Sequence, residues 1–487
     1  MAGIDSAGRG GAPRSSGRAG TEHDVRAPIR PRERSFPLQS EPHDEAATAK
    51  IVDWLERNVG GRVVRIARQP RWRPVWFADV ERDGEILELC VRGDRTDMPL
   101  VFPLEHEMNL QRTMHEQGIP TPRVYGLIES PLAYVMDRVR GRNDFVESTE
   151  AERRSAVDEY LQILARLHAL PIEPFVRAGV MRAATPAESG TFGISRYERL
   201  FRSVKQLPNP FIEFSLAWLK RNPPLSHGRE SAIVWDSGQF HTEKGRIVAV
   251  LDVEIGHIGD PMMDLAAWRQ RDTIIGYGDF KALYARYEEL SGRPVDLDAL
   301  MRHHFAFTLS NELAFSAALR HPAPDSDLMT NMQWCYETNL FATEALAEIY
   351  EIELPSVEMP EPRISRGKVA IDHLVHKLRS LPIADEFVQY QLRTMFRMAR
   401  HIARADEIGE AVSEADLDDL HRLLGRRPAT WLEGEEQLER FVLADATEGR
   451  HDVELIGLFH KRHLRAHGLL GPAGSAMTRH MKIQSFR

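Results

Sequence analysis

The segment WDSGQFHTEKGRIVAVLDVEIGHIGDPMMDLA, residues 235–266, combines a glycine-centred turn, an apolar strand and four aspartates. RIVAVLD predicts a strand that ends at Asp252, and the strand-like run SAIVW directly precedes Asp236. The turn between these runs predicts a hairpin. Because a hairpin brings the outer ends of its strands together, we expect the carboxyl groups of Asp236 and Asp252 at the same end of a small sheet.

Two interpretations of these carboxyl groups follow. An acid at the end of a buried strand is costly unless a cation or a donor meets it, and a Mg²⁺ ion that bridges phosphate oxygens is such a cation. Asp252 would then hold the metal while Asp236 orients or deprotonates a nucleophile, the division of labour found in protein kinases. Aspartates at strand ends and turns also cap backbone groups, and Asp260 and Asp264 suit that structural role. The pattern alone leaves both interpretations open for Asp236 and Asp252.

The composition narrows the class of protein. The chain has 487 residues, of which 42% are hydrophobic and 28% charged, with a formal net charge of −9. This charge argues against a general nucleic-acid binder, and no apolar run is long enough to span a bilayer. The first residues lack the apolar centre of a secretion signal, and two cysteines provide no disulfide framework. We therefore expect a cytoplasmic protein with neither nucleic acid nor a membrane as its partner.

Changes of pattern along the chain predict its organisation. A Gly-, Arg- and Ser-rich start predicts a disordered tail. Next come a helix, strand-like runs with a hairpin signal at Asp83-Gly84, and a helix that ends near Gly118. Helical patterns then dominate, and a Pro-rich linker precedes a further helical part. The predicted boundaries are a tail at 1–45, an amino lobe at 46–137, a helical lobe with the catalytic segment at 138–353, a linker at 354–364 and an all-α carboxy-terminal domain at 365–487.

Four motifs carry a resemblance to a known family. VAVLDVEIGHIGDPMMDLA (248–266) resembles the metal-binding segment of the aminoglycoside phosphotransferase and choline kinase family. EMNLQRTMHEQGIPTPRVYG (107–126), AYVMDRVRGR (133–142) and LARLHAL (164–170) resemble its amino-lobe helix, its hinge and the helix before its catalytic loop. The most similar branch contains bacterial proteins related to the kinase module of acyl-CoA dehydrogenase fusions. The resemblance implies an α+β, two-lobed protein-kinase-like fold with ATP in the cleft, here extended by the all-α carboxy-terminal domain.

The resemblance also implies roles for individual residues. Asp236 aligns with the catalytic aspartate, Asp252 with the metal-binding aspartate, and Gln239 takes the place of a metal-binding asparagine. The residues implied to hold the nucleotide are Arg92, in place of the phosphate-binding lysine, Glu107, its helix partner, and Met136, at the hinge where backbone groups meet adenine.

The chain departs from the family pattern at the parts that hold ATP and metal. Trp235 replaces the His-Gly pair of the catalytic loop, which is two residues shorter, and Arg92 is not equivalent to a lysine. RWRPVWF (71–77) replaces a glycine-containing turn. We consider two possibilities for Arg71 and Arg73: side chains that bind phosphate, or part of a surface-exposed strand.

Two functions are consistent with these observations. The first is ATP- and Mg²⁺-dependent phosphoryl transfer to a hydroxyl of a small molecule: an aminoglycoside, an amino alcohol or a hydroxy-acyl compound. The alternative is a nucleotide-binding pseudokinase that acts as a binding or regulatory protein. The sequence does not indicate the oligomeric state.

Overall fold

The amino lobe is built on one antiparallel sheet. The computed structural model describes residues 41–95, 98–224, 226 and 228–486, so the predicted tail lies almost entirely outside the described residues. In chain order the lobe comprises α1 (Glu41–Asn58), β1 (Arg62–Arg68), β2 (Val75–Arg82), β3 (Glu85–Gly93), α2 (Leu104–Glu116), β4 (Val124–Glu129) and β5 (Leu132–Asp137). The strand order is β1-β2-β3-β5-β4, and every neighbouring pair is antiparallel.

A local sequence signal explains the connection between β2 and β3. Asp83 and Gly84 both have positive φ, +54° and +82°, which a two-residue hairpin turn of this type requires, and β2 and β3 pair in register across it. The predicted hairpin is thus confirmed. Ile51 and Leu55 of α1 are fully buried against one face of the sheet. The helix α2 lies beside the other face, where Leu104 and Met108 pack against strand residues.

The helical lobe follows the sheet. Its first part comprises α3 (Glu150–Ala169), α4 (Glu173–Arg177), α5 (Phe192–Val204), α6 (Pro210–Arg221), β6 (Ser231–Ile233), β7 (Phe240–Glu243), β8 (Arg246–Val250) and β9 (His257–Gly259). Its second part comprises α7 (Pro261–Ile275), α8 (Phe280–Ser291), α9 (Leu297–Thr308), α10 (Ser310–Arg320) and α11 (Leu328–Tyr350). Thr149 and Glu152 form the predicted capping box at the start of α3.

The strand pairing around Asp236 and Asp252 differs from our expectation. The predicted hairpin partners were SAIVW and RIVAVLD, but β6 pairs with β9, and β8 pairs with β7. The register sets Phe240 opposite Val250, and the Leu251 N–H donates to the Gln239 carbonyl at 2.9 Å. Asp236 therefore lies before one strand of the β7–β8 hairpin, and Asp252 follows the other. The two aspartates still lie at the same end, through a hairpin one strand later.

Four further helices follow an irregular segment after α11. They are α12 (Lys368–Ser380), α13 (Glu386–Leu424), α14 (Trp431–Asp445) and α15 (Asp452–Gly468). Apolar side chains of α13, α14 and α15, among them Leu420, Leu438 and Phe459, belong to the same buried cluster as Phe211, Phe214 and other side chains of the helical lobe. The α+β class is therefore confirmed, with a β-rich amino lobe, a helical lobe and additional carboxy-terminal helices. No helix in the described part of the chain is long and apolar enough to cross a membrane.

The shared core predicts that the carboxy-terminal helices unfold together with the helical lobe. The ring of Phe459 lies 5.3 Å from that of Phe211 and 5.5 Å from that of Phe214. Truncation of a buried phenylalanine leaves a cavity, so Phe459→Ala is expected to lower the free energy of unfolding by about 3–5 kcal/mol. Urea unfolding followed by circular dichroism measures this change.

The matched control is Val453→Ala on the same helix, where the side chain is exposed; its effect is expected to stay within about 0.5 kcal/mol. A Phe459→Ala protein that unfolds in two steps, with only one step weakened, would contradict the shared core.

Candidate active site

Two cavities meet between the lobes. The interlobe cavity, of about 260 Å³, lies between the sheet residues Phe77, Cys90 and Met136 and the segment that contains Leu251. The helical-lobe cavity, of about 230 Å³, lies among α5, α7, α9, α10 and α11 and the segment before β2. Three residues line both cavities: Gln239, Asp252 and Arg271. Asp236 lines the helical-lobe cavity, and Arg92 lines the interlobe cavity.

Strained backbone places both predicted carboxylates. Trp235, directly before Asp236, and Asp252 itself each have φ of +58°, the left-handed region that residues with a Cβ rarely adopt. Such conformations persist only where the surrounding structure fixes them, and they concentrate at functional sites. Here Asp264 accepts hydrogen bonds from the backbone N–H groups of Val234, at 3.2 Å, and Trp235, at 2.6 Å. The structural role that we predicted for Asp264 is thus to hold the loop that carries Asp236.

Two tyrosines fix the rest of this loop. The Gly238 N–H donates to the Tyr160 hydroxyl, and the Tyr277 hydroxyl donates to the Gly238 carbonyl, each at 2.7 Å. Gly238 has φ of +94°, and a Cβ at this position would lie 2.6 Å from a ring carbon of Trp268. Only glycine suits this turn. The shortened loop is therefore held in one conformation by hydrogen bonds and close packing.

Asp236 contacts two side chains that also line the interlobe cavity. Its carboxylate forms an ion pair with Arg271 and accepts a hydrogen bond from the Gln239 side-chain amide at 2.7 Å. Burial raises the pKa of Asp236, and the Arg271 guanidinium opposes this effect. The arrangement gives an oriented carboxylate of increased basicity at the wall of the helical-lobe cavity.

Arginine side chains that bind Glu107 also contact the helical lobe. Arg92 donates to Glu107 at 2.6 Å and to Asp252 at 2.5 Å. The structure therefore brings together Arg92, Glu107 and Asp252, the three charged residues implied for phosphate and metal binding. Although burial raises the pKa of Asp252, Arg92 and Arg73 hold that pKa at about 2.

Arg73 belongs to the same cluster, which neither sequence interpretation anticipated. Its side chain is only 1% exposed and donates to Glu107 at 2.9 Å, to Glu254 at 2.5 Å and to the Gly93 carbonyl at 2.9 Å. Each of its three guanidinium nitrogens therefore donates to an acceptor of the protein. The expectation of an exposed or phosphate-binding Arg73 is therefore wrong: Arg73 is a buried counter-ion. Arg71, in contrast, is exposed and lines the interlobe cavity.

Met136 lies where β5 pairs with both β3 and β4, and it lines the interlobe cavity. The backbone N–H groups of the two following residues are already used: Asp137 donates to the Arg123 carbonyl and Arg138 to the Glu88 carbonyl. Within the described part of the chain, no acceptor is found for the next N–H, that of Val139, which also lines the cavity. The Val139 N–H is therefore a backbone donor in this wall that a ligand can use, and Met136 lies in the same wall.

The site offers few side chains that could hold a metal ion. Among the described residues, no group of three or more His, Cys, Asp or Glu side chains is placed to hold an ion. Asp252 uses Oδ1 for Arg92 and Gln239 uses its side-chain nitrogen for Asp236, and no described residue donates to Asp252 Oδ2 or Gln239 Oε1. Mg²⁺ in nucleotide sites takes one or two protein oxygens and completes its shell with phosphates and water. Asp252 and Gln239 fit that requirement.

Comparisons with known proteins agree with the sequence resemblance. Residues 73–294 match the model of the phosphotransferase enzyme family, APH. Over 212 residues the chain is 28% identical to acyl-CoA dehydrogenase family member 11 of Rattus norvegicus; the match covers 41% of this chain and 27% of that protein. The chain thus spans about a quarter of the length of this relative. The resemblance to a phosphotransferase family that the motifs indicated is confirmed over the matched segment.

Solved structures of low sequence identity match part of the chain. A protein of Ralstonia eutropha, provisionally assigned as an aminoglycoside phosphotransferase, is 19% identical with a TM-score of 0.46, and the match covers 60% of this chain and 94% of that one. Choline kinase LicA of Streptococcus pneumoniae is 15% identical with a TM-score of 0.45, at 62% and 99% coverage.

Sequence reasoning missed two residues of the site, Glu254 and Arg271, and it did not anticipate that Arg73 is a buried counter-ion. Glu254 lies two residues after Asp252, and its half-buried carboxylate pairs with Arg73. The excess of arginine over lysine around the site was the available signal, because planar guanidinium groups suit buried, multiply hydrogen-bonded ion pairs.

The buried cluster predicts a large loss of stability when Arg73 is removed. Arg73→Met leaves Glu107 short of one guanidinium and Glu254 without its closest cation, and loss of one partner of a buried pair costs about 3–5 kcal/mol. The free energy of unfolding in urea at pH 7 measures this loss. Arg62→Met is the control, since Arg62 is 75% exposed in its pair with Glu81 and such pairs contribute about 0–1 kcal/mol. Equal effects of the two substitutions would contradict the assigned role of Arg73.

Proposed function

We propose that the protein is an ATP-dependent phosphotransferase that acts on a hydroxyl group of a small molecule. The observation that carries the proposal is the meeting of the two cavities at Asp252, Gln239 and Arg271, with Asp236 on the wall of the second cavity. ATP is proposed to lie in the interlobe cavity and the acceptor alcohol in the helical-lobe cavity. The match to the phosphotransferase family supports this assignment.

The chain's own residues divide the task as follows. Asp236 accepts the proton of the acceptor hydroxyl and orients its oxygen toward the transferred group. Gln239 and Arg271 hold Asp236 in place through its two carboxylate oxygens. Glu107 holds Arg92, whose guanidinium contacts the phosphates in place of the usual lysine. Transfer then follows mainly from positioning and charge neutralisation.

Asp252 and Gln239 are the residues that would hold Mg²⁺. The ion, when bound, supplies positive charge that neutralises the phosphate oxygens. We place the protein in the cytoplasm, where ATP is available and where two buried, unpaired cysteines remain reduced.

One observation favours the alternative of a nucleotide-binding protein without transferase activity. Asp252 and Arg92 are already paired at 2.5 Å, so phosphate and metal must compete with an existing ion pair. A protein in which that pair never opens would be a scaffold with a kinase-like shape. Turnover separates the two proposals.

The direct test compares nucleotide binding with turnover. ATP and Mg²⁺ together are expected to raise the melting temperature, because a ligand stabilises the state that it binds. Asp236→Asn should keep this shift and reduce phosphoryl transfer by about 10²–10⁴-fold, the usual contribution of a general base. Phosphate transfer from labelled ATP across a panel of alcohols gives the turnover.

Asp158→Asn serves as the control, since this aspartate lies in an exposed pair on α3 and lines neither cavity. Full turnover by Asp236→Asn would refute its catalytic role, and a nucleotide-induced shift without turnover on any acceptor would favour the pseudokinase.

Substitution of Arg271 is expected to shift the pH profile of kcat/KM. Asp236 must be ionised to accept a proton; burial raises its pKa and Arg271 lowers it. Arg271→Gln removes the lowering effect, so the pKa of Asp236 rises and the acid limb of kcat/KM moves to higher pH. Arg286→Gln, which removes an exposed guanidinium from α8, should leave the profile in place. A profile that does not move in Arg271→Gln would show that Arg271 does not act through Asp236.

A further inference from the structure

The helical-lobe cavity has an aromatic wall. Six aromatic side chains line it, contributed by the segment before β2 and by α5, α9, α10 and α11: Trp72, Tyr197, Phe307, Phe315, Trp334 and Phe341. The rings of Trp72 and Trp334 lie 6.1 Å apart, edge to face, and Phe315 lies 5.9 Å from Trp334. Ligand cavities with such walls gain most of their affinity from the burial of apolar ligand surface.

Three of the four carboxylates of this cavity are already paired with arginines. Of the four that line it, Asp236 is paired with Arg271, Asp252 with Arg92 and Glu254 with Arg73. The fourth, Glu337, accepts a hydrogen bond from Gln333 at 2.7 Å and lies 3.9 Å from His467. A ligand with several ammonium groups needs several carboxylates without a cation of their own, because each desolvated charge must be matched.

The aromatic wall is likewise unsuited to a quaternary ammonium group. Such a cation binds to the open faces of aromatic rings. Here the guanidinium of Arg95 lies 3.9 Å from the centre of the Trp72 ring and 5.1 Å from that of Phe315. The protein's own cation therefore already lies over these two rings, and a second positive charge beside it would be repelled.

From these contacts we infer that the acceptor is an alcohol with an apolar body and no positive charge. Its apolar part packs against the aromatic wall, and its hydroxyl meets Asp236 at the junction of the cavities. The inference rests on the proposed function and specifies its substrate class.

Ile274 allows a test that leaves the core intact. This side chain lines the helical-lobe cavity at the end of α7 and is 68% exposed. A carboxylate here removes apolar contact and adds negative charge, so apolar and cationic ligands respond in opposite directions. Ile364→Asp is the matched control, since Ile364 is exposed and lines neither cavity.

The probes are 2-phenylethanol, choline and kanamycin. Their Kd values are measured by quenching of tryptophan fluorescence with a non-hydrolysable ATP analogue and Mg²⁺ present, and their kcat/KM values with ATP. We expect 2-phenylethanol to bind most tightly, and Ile274→Asp to raise its Kd about threefold or more. Ile364→Asp should leave all values unchanged.

The inference would be overturned if the wild-type protein bound choline or kanamycin more tightly than 2-phenylethanol, or phosphorylated either of them faster. A failure of 2-phenylethanol to bind at millimolar concentration, or stronger binding of that alcohol by Ile274→Asp, would also overturn it. Phosphorylation of a cationic acceptor would leave the proposed phosphotransferase activity standing. The absence of any ATP-induced rise in melting temperature would reject that activity separately from the substrate class.

Discussion

The rest of the site depends on the ion pairs that two arginines form with Glu107. Arg73 comes from the segment before β2 and Arg92 from the end of β3, and both donate to a carboxylate on α2. The same guanidinium groups also form ion pairs with Asp252 and Glu254 of the helical lobe. Buried charges persist only when they are paired and hydrogen-bonded, so this cluster fixes how the sheet, α2 and the catalytic segment sit together.

A second constraint complements the first. The left-handed backbone at Trp235 and Asp252 turns the two aspartates toward the junction of the cavities, and Asp264 holds the first of these turns through two backbone N–H groups. His168 in turn lies 3.0 Å from Asp264. The motifs LARLHAL and GDPMMDLA are therefore parts of one support for the loop that carries Asp236. The hydrogen bonds of Asp264 beneath the loop thus offset the backbone strain at Trp235.

Local patterns predicted the elements well because their signals are local. The Asp83-Gly84 turn, the capping box of α3 and the strands of the amino lobe are all encoded within a few residues. Pairing between strands is not, and the expected partner of β6 was wrong. Its true partner, β9, has only three residues, His257–Gly259, too few for an alternating pattern to be recognised.

The site shows the same division between local and long-range information. Motif alignment led to Asp236, Asp252, Gln239, Arg92, Glu107 and Met136, all of which line one of the two cavities or contact a residue that does. The contact of Arg73 with Glu254 joins residues 181 positions apart, and no pattern in the sequence reveals such a pair. The shared core of α15 and α6 is equally non-local, which is why the carboxy-terminal helices read as a separate part of the chain.

The most direct test of the central claim is a crystal structure with Mg²⁺ and a non-hydrolysable ATP analogue. We predict the adenine beside the backbone of Val139, the phosphates beside Arg92, and the Arg92–Asp252 pair opened to admit the ion. An intact Arg92–Asp252 pair, with the analogue absent from the interlobe cavity or bound elsewhere, would contradict the account.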